Sequence, residues 1–248
     1  MKAEKVDIVG EQKNLLNPKK GIIQKYKDLF VGDVSFFYFL KYELIITLFT
    51  GVPGALGHAL RKIFFKRLFK KIGRGVVFGR NMTIRHPRKV EIGDNVIFDD
   101  NSVIDAKGET NTGIKIGDNV VIGRNTILSC KGGDIEIGDY ANIGANNYLI
   151  SESILAVGNY VFTAGQTYIV AGGTHSFDRK DIPIWHQPSV SKGGIIIEDD
   201  VWIGASCTVL DGVKIRTGCV IGAGSVVHKK LPAYSVALGN PVQVIKKR

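Results

Sequence analysis

Aliphatic residues recur at every sixth position along most of this chain. The longest run starts at Ile197 and continues to Val227, and shorter runs start at Phe78, Ile92, Ile116, Ile137 and Val157. The second residue of a hexad is often glycine, and the fifth is mostly small or β-branched. A period of six fits neither an amphipathic helix nor a hairpin meander, but it is typical of a β-solenoid. The pattern predicts an all-β solenoid of about seven triangular coils, with first positions inside and fifth positions filling the corners.

One step of the repeat is far longer than the others. The coil starting at Val157 is followed by the next at Ile197, and the excess lies in residues 171–194. A long insertion in a regular repeat is more often functional than accidental. We therefore expect one protruding loop that carries chemistry, and it contains His175 and His186.

The net charge of +10 is unevenly distributed over the 248 residues. Residues 1–90 hold 19 Lys and Arg against 6 Asp and Glu, whereas residues 91–248 hold 14 against 17. No nucleic-acid-binding motif accompanies the basic third, so we expect no nucleic acid partner. An anionic membrane surface is the partner that this charge favours.

Three cysteines and no cleavable signal at the start favour a reducing compartment. We therefore expect a cytoplasmic protein, with peripheral attachment at the inner face of the membrane left open. Cys207 and Cys219 lie two faces apart on one coil, so they are predicted to be core residues that form no disulfide.

Residues 1–75 precede the repeat and form a basic, partly helical extension in this interpretation. Residues 1–35 are polar and are expected to be loosely ordered. The apolar stretch 36–49 is broken by Lys41 and Glu43, and it is too short to span a membrane. Residues 55–72 mix basic and apolar side chains, which suits either a helix on an anionic membrane or a cap on the open solenoid end. The solenoid domain is assigned to 76–248, with a C-terminal cap at 231–248.

Three C-terminal phrases carry a family resemblance. They are VWIGA at 201–205, VIGAGSVV at 220–227 and ALGNP at 237–241. Together with the repeat and the loop histidine, they resemble hexapeptide-repeat acyltransferases, especially the galactoside, maltose and xenobiotic O-acetyltransferases and those of polysaccharide biosynthesis. The resemblance covers about residues 76–246. It implies left-handed coils, acetyl-CoA as cosubstrate, no metal, and a homotrimer with active sites between chains.

The same resemblance assigns His175 as the general base. A sugar hydroxyl is a poor nucleophile at neutral pH, and an imidazole with an ordinary pKa of about 6.5 can accept its proton. The thioester carbonyl then becomes a tetrahedral oxyanion that turn amides could stabilise. His186 is a candidate for shaping the acceptor site.

The resemblance also places the coenzyme between C-terminal coils. Ala205 and Ala223 supply backbone contacts, Lys229 lies near a coenzyme phosphate, and Lys246 stands where relatives carry arginine. Trp202 lines the groove or is a plain face residue. The coenzyme contacts depart from the family pattern at His228 and Val242.

The resemblance places an acceptor-binding asparagine near Asn146 and Asn147. Asn147 occupies an interior corner, where a buried amide satisfied by turn backbone is expected. Asn146 should point outward, so we favour Asn146 for the acceptor.

The leading hypothesis is acetyl transfer from acetyl-CoA to a saccharide hydroxyl in cell-surface glycan biosynthesis, with a saccharide or a lipid-linked glycan as acceptor. Transfer to the nitrogen of an amino sugar, free or nucleotide-linked, is the close alternative. A carbonic-anhydrase-like zinc enzyme needs three converging histidines, and a non-catalytic scaffold would need neither the loop nor the coenzyme phrases.

Overall fold

The computed structural model describes residues 17–248, and most of that length winds into a three-faced parallel β-solenoid. Sheet A contains β1 (Lys71–Ile72), β4 (Val90–Ile92), β7 (Ile114–Ile116), β10 (Asp134–Ile137), β13 (Ile154–Val157), β18 (Ile195–Ile197) and β21 (Lys214–Ile215). Sheet B contains β2 (Val77–Phe78), β5 (Ile97–Phe98), β8 (Val121–Ile122), β11 (Asn142–Ile143), β14 (Phe162–Thr163), β19 (Trp202–Ile203), β22 (Val220–Ile221), β24 (Ser235–Leu238) and β25 (Gln243–Lys247). Sheet C contains β3 (Thr83–Arg85), β6 (Val103–Asp105), β9 (Ile127–Cys130), β12 (Tyr148–Ser151), β15 (Tyr168–Ala171), β20 (Thr208–Val209) and β23 (Val226–Val227).

Sheets A and C hold seven strands each within residues 17–248, so the chain completes seven turns and begins an eighth at β24. This confirms the predicted all-β solenoid. The hexapeptide repeat implies that its coils are left-handed.

The parallel register stacks equivalent hexad positions above one another. Ile92 pairs with Ile116, and Ile116 pairs with Ile137. First-position side chains are at most 4% exposed, and fifth-position side chains such as Val96 and Cys207 are equally buried. Each buried aliphatic side chain contributes about 1.5–3 kcal/mol, so stacked coils stabilise one another where a single coil would not persist.

The corner after sheet A is held by a ladder of carboxylates. Asp118 Oδ1 accepts the backbone N–H of Asp94 at 2.7 Å, and Asp139 Oδ1 accepts that of Asp118 at 2.7 Å. Gly93 must be glycine here, because a Cβ at that position would lie 2.3 Å from Asp118 Oδ1. The recurring Gly-Asp of the sequence is therefore a consequence of coil-to-coil bonding at this corner.

Three α-helices precede the solenoid in the described chain. They are α1 (Ile22–Phe30), α2 (Phe36–Phe49) and α3 (Gly54–Phe64), and a 3-10 turn (Phe65–Arg67) leads into β1. Ser35 caps α2 by accepting the backbone N–H of Tyr38 at 3.3 Å. The expectation that residues 1–35 are loosely ordered is wrong for the segment that forms α1, and residues 1–16 lie outside the described residues.

The 3-10 turn and the residues after it close the open end of the solenoid. Phe65 is fully buried, and its ring meets that of Phe78 edge-on at 5.4 Å. The Phe78 ring in turn stacks on Phe69 at 5.6 Å and on Phe98 at 5.7 Å. The membrane and cap interpretations of residues 55–72 can coexist and both stay predictions, and the helix ends at Phe64 while the segment continues into β1.

Arg61 shows why α3 differs from a free basic amphipathic helix. Its side chain is fully buried and donates to the carbonyl oxygens of Phe78 at 3.0 Å, Phe49 at 3.3 Å and Val52 at 2.7 Å. Burial lowers the pKa of Arg61 from its ordinary value. This guanidinium therefore joins the helices to the first coil.

The C-terminal segment folds back on the last coil. β25 pairs antiparallel with β24, and Leu231 forms an isolated bridge with Ile215.

Among the helices described here, none combines the length and the apolar character needed to cross a membrane.

Candidate active site

Residues 171–194 leave sheet C at the end of β15 and return to sheet A at β18. Within this loop β16 (Thr174–His175) pairs antiparallel with β17 (Ser189–Val190), so His175 faces Ser189 in the register. A 3-10 turn (Ile184–His186) lies between the two strands. The predicted protruding loop is confirmed, and a hairpin gives its histidine a defined backbone position.

His175 is half-buried and has one hydrogen-bond partner among the contacts described. Its Nδ1 lies 3.4 Å from the backbone oxygen of Gln187. A carbonyl oxygen can only accept, so Nδ1 must carry the proton in this bond. A neutral His175 then presents the lone pair of Nε2, which is the arrangement that a general base needs.

Gln187 braces the loop from inside, a role that the sequence did not indicate. Its side chain is 3% exposed. Its Oε1 accepts the backbone N–H of Arg179 at 3.2 Å, and its Nε2 donates to the backbone oxygen of Arg179 at 2.7 Å. The side chain thus closes the loop while its own carbonyl orients His175.

Two carboxylates anchor the ends of the loop. Glu152 Oε2 accepts the backbone N–H of Gly173 at 2.9 Å, two residues before His175. Buried Asp211 accepts the backbone N–H of Gly194 at 2.9 Å and that of Lys192 at 2.5 Å. Gly173 has a φ of +75°, a conformation that favours glycine. The sharp turn into β16 therefore depends on this glycine as well as on its hydrogen bond to Glu152.

His186 lies at the end of the 3-10 turn and is half-buried. Its backbone N–H donates to Pro183 at 3.0 Å. The described contacts include no hydrogen bond between its ring and His175, so its part in shaping the acceptor site stays a prediction.

Asn146, Ala205 and Ala223 lie on the corner between sheets B and C. Asn146 has a φ of +58° and is exposed, and its Oδ1 accepts from Asn125 Nδ2 at 3.0 Å. The backbone oxygen of Ala205 accepts from Gly224 at 2.8 Å, which stacks the two alanine turns. His175 follows the opposite end of sheet C, and none of the contacts described for residues 17–248 joins it to these three residues.

The alanine turns expose backbone donors. Ala205 and Ala223 are both exposed, and the hydrogen bonds of residues 17–248 leave their amide N–H groups without a protein acceptor. An amide carbonyl of a pantetheine arm would satisfy such donors. The predicted coenzyme edge therefore has suitable chemistry.

The other coenzyme candidates are exposed on neighbouring surfaces. Trp202 is 51% exposed on sheet B, between Phe162 and Val220 in the register. Lys229 Nζ donates to Gln243 Oε1 at 3.3 Å, and Lys246 lies on β25 opposite Val236. The coenzyme roles of these three residues stay predictions.

Asn147 is fully buried in the interior corner, as predicted. Its Nδ2 donates to the backbone oxygen of Gly144 and to Thr163 Oγ1, each at 3.0 Å. Its Oδ1 accepts the backbone N–H of Thr167 at 2.6 Å. The amide is thus satisfied inside the coil, and it is Asn146 that is available to a ligand.

The comparisons with known proteins agree with this geometry. Residues 89–130, 113–151 and 194–229 match the family described as hexapeptide repeat of succinyl-transferase. Over these residues the chain carries the repeat that defines this family.

Three proteins that are similar to this chain illustrate the range of its neighbours. A probable acetyltransferase of Mycobacterium tuberculosis is 34% identical over 47% of this chain and 38% of its own length. The galactoside O-acetyltransferase of Lactococcus lactis is 37% identical over 44% of this chain and 50% of its own length. The structure of AntD, an N-acyltransferase from Bacillus cereus, in complex with dTDP-4-amino-4,6-dideoxyglucose and coenzyme A, is 26% identical, with a TM-score of 0.50 over 77% of this chain and 87% of that chain.

The chain therefore spans half or less of the length of these two curated relatives. The overlap with the structural neighbour is larger, at 77% of this chain and 87% of that chain.

The three cysteines have structural roles. Cys130, Cys207 and Cys219 are buried free thiols, as predicted for the latter two. Burial raises the pKa of Cys130 to about 12 and raises those of the other two thiols. In residues 17–248 no cluster of three His, Cys, Asp or Glu side chains is placed to hold a metal ion.

Proposed function

We propose that this protein transfers an acetyl group from acetyl-CoA to a hydroxyl of a saccharide acceptor. The observation that carries the proposal is the His175 imidazole, held on a braced hairpin with Nδ1 directed at a carbonyl and Nε2 available as a base. The family, the galactoside O-acetyltransferase relative and the coenzyme A complex of the structural neighbour support it.

The reaction needs one proton acceptor and no resident cofactor. His175 Nε2 removes the acceptor hydroxyl proton as the oxygen attacks the thioester carbonyl. The C–O bond forms, the carbonyl oxygen becomes an oxyanion, and backbone N–H groups stabilise that charge. Collapse breaks the C–S bond, and the CoA thiolate takes the proton back from Nε2.

We propose further that the working unit is a homotrimer with each active site shared between two chains. His175 and the alanine turns lie at opposite ends of sheet C, so a neighbouring chain would complete the constellation. Closed symmetric assembly makes each such interface equivalent.

The direct test is His175→Ala, assayed with acetyl-CoA and candidate glycans. We expect the transfer rate to fall at least about 100-fold while acetyl-CoA binding, measured by calorimetry, is kept. His58→Ala is the matched control, because the side chain of His58 on α3 is exposed. Near-normal transfer by the His175 variant would reject the mechanism, and absence of acetyl-CoA binding by the wild type would favour a scaffold.

A mixing experiment tests the shared site. Ala223→Arg should block the coenzyme edge while leaving His175 intact. The Ala223→Arg variant alone and the His175→Ala variant alone are therefore both expected to be inactive. Mixed trimers assembled from equal amounts of both variants should regain about a quarter of the wild-type rate, because one site in four combines two intact halves. No recovery, or a monomer by light scattering, would exclude the shared site.

N-acetylation of an amino sugar is the second candidate, and the amino-sugar nucleotide in the structural neighbour favours it. An amine nucleophile would use the same histidine. Assays of a nucleotide-linked amino sugar beside its hydroxyl analogue, and beside unmodified glycans, separate the two by the ratio of their kcat/KM values.

A further inference from the structure

Helix α2 exposes a continuous row of large apolar side chains. Phe37, Leu40, Leu44 and Leu48 are 82%, 55%, 58% and 52% exposed. Their spacing of three and four residues places them on one face of the helix. We call these four residues the α2 apolar face.

The opposite side of α2 is fixed to the solenoid. Tyr38 Oη donates to the backbone oxygen of Leu68 at 2.5 Å, and Tyr42 Oη donates to that of Ile84 at 2.6 Å. Both tyrosines and Ile45 are buried. The α2 apolar face is therefore directed away from the coils, and a rotation that would bury it would break both hydrogen bonds.

The neighbouring helix adds to this surface. α3 packs against α2, with Phe49 and Phe64 stacked at 4.2 Å, and it exposes Leu56 and Ile63 at 66% and 47%. Exposed apolar residues scattered singly are normal, but a contiguous apolar row marks a binding surface.

The exposed charged side chains of residues 36–67 are all basic. Lys41, Lys62, Lys66 and Arg67 are all exposed. Residues 36–67 contain one acidic side chain, Glu43, which is half-buried and accepts a hydrogen bond from Tyr26 Oη at 2.9 Å. An apolar row with basic residues beside it complements a bilayer surface that carries anionic headgroups.

We propose that the α2 apolar face binds an anionic lipid bilayer, with α2 lying in the plane of the headgroups. Self-association through this face would bring equal positive charges together, which disfavours a second copy as the occupant. α2 has 14 residues, a length of about 21 Å, so it lies on the bilayer rather than spanning it. Buried Arg61 takes no part in this surface, whereas exposed Lys62, Lys66 and Arg67 supply its basic charge. It does not depend on the proposed acetyl transfer.

Vesicle flotation tests the proposal on the full chain. The wild type is expected to bind vesicles of phosphatidylcholine with 30% phosphatidylglycerol at least tenfold more than vesicles of phosphatidylcholine alone. Leu40→Asp combined with Leu44→Asp should reduce this binding at least tenfold. Ile245→Asp is the matched control, because Ile245 is 58% exposed on β25, the same fraction as Leu44.

Two further variants separate the apolar from the electrostatic contribution and guard against misfolding. Phe37→Ser changes the most exposed member of the face, and Lys62→Glu with Lys66→Glu reverses two charges. Both are expected to weaken binding to the anionic vesicles with an unchanged melting temperature.

Three results would overturn the proposal. They are no preference of the wild type for anionic vesicles, equal loss in the Ile245 control, or full vesicle binding by the Leu40 and Leu44 variant. If that variant instead forms a smaller oligomer by light scattering while vesicle binding persists, the α2 apolar face is a contact between copies.

Discussion

His175 Nδ1 lies 3.4 Å from the backbone oxygen of Gln187, twelve residues further along the same loop. The position of that oxygen depends on the buried Gln187 side chain, which bonds both backbone polar groups of Arg179. Since the imidazole orientation and tautomer follow from this one contact, Gln187 controls the proposed base without contacting the reacting atoms.

Gln187→Leu should therefore reduce activity more than stability. The variant keeps the side-chain volume but removes two hydrogen bonds to the backbone of Arg179, which costs about 1–3 kcal/mol locally. Because the loop lies outside the coils, we expect kcat to fall at least about tenfold while the melting temperature of the solenoid changes little. Gln24→Leu on exposed α1 is the control. Wild-type kcat in the Gln187 variant would show that the brace is dispensable.

Glu152→Ala should loosen the other side of the same hairpin. The carboxylate accepts the backbone N–H of Gly173, and losing a bond of about 1 kcal/mol predicts a fall in kcat of about fivefold. Glu152→Gln keeps an acceptor oxygen and should recover most of the rate. Steady-state kinetics of both variants give the measurement. A higher kcat in Glu152→Gln than in Glu152→Ala, with KM for acetyl-CoA unchanged, would confirm a positioning role, and an equal loss of kcat in both variants would contradict it.

Much of the solenoid was predictable because the six-residue repeat can be recognised directly in the amino-acid sequence. The inward positions, the long loop at His175 and the buried amide of Asn147 all follow from counting hexads. Arg61 and Gln187 were not predictable, because each is buried against backbone groups 8 to 17 residues away that no repeat or motif brings together. The α2 apolar face was missed for a related reason, since only the packed structure shows which of its apolar residues stay outside.

Asn147→Ala and Asn146→Gly separate structure from recognition at adjacent positions. The first change leaves the backbone N–H of Thr167 without its acceptor and removes one hydrogen bond each from Gly144 and Thr163, so we expect a loss of about 1–3 kcal/mol in unfolding free energy. The second keeps the left-handed turn, since glycine adopts φ +58° readily.

The Asn146 variant should keep its stability and raise KM for the saccharide acceptor. Urea unfolding with acceptor kinetics tests both variants. A stable Asn147 variant, or an unchanged acceptor KM at Asn146→Gly, would contradict the respective assignment.

Arg61→Met should open the helical cap. Three carbonyl oxygens lose a charged donor, and we expect at least about 2 kcal/mol of destabilisation. Lys62→Met, one residue later on the exposed side, is the matched control and should be nearly neutral. Hydrogen exchange in α3 and β2 gives the local measurement, and similar exchange rates in the two variants would show that the cap does not depend on this guanidinium.

The burial of His86 predicts that the folded protein loses stability at mildly acidic pH. It is 6% exposed, and its Nε2 lies 2.9 Å from the backbone oxygen of Asp28. Burial lowers the pKa of His86 below its ordinary value of 6.5, with the bond to Asp28 opposing this shift. The unfolded chain therefore binds the proton more readily than the folded protein does. The stabilisation is complete above about pH 6.5 and is lost as the pH falls towards the folded-state pKa, by at most about 1.4 kcal/mol per pH unit.

In His86→Gln this contribution to the pH dependence should be absent, so the unfolding free energies of the wild type and the variant should converge as the pH falls from 7 to 5. Urea unfolding at a series of pH values measures the difference, and parallel profiles would show that His86 does not titrate differently in the two states.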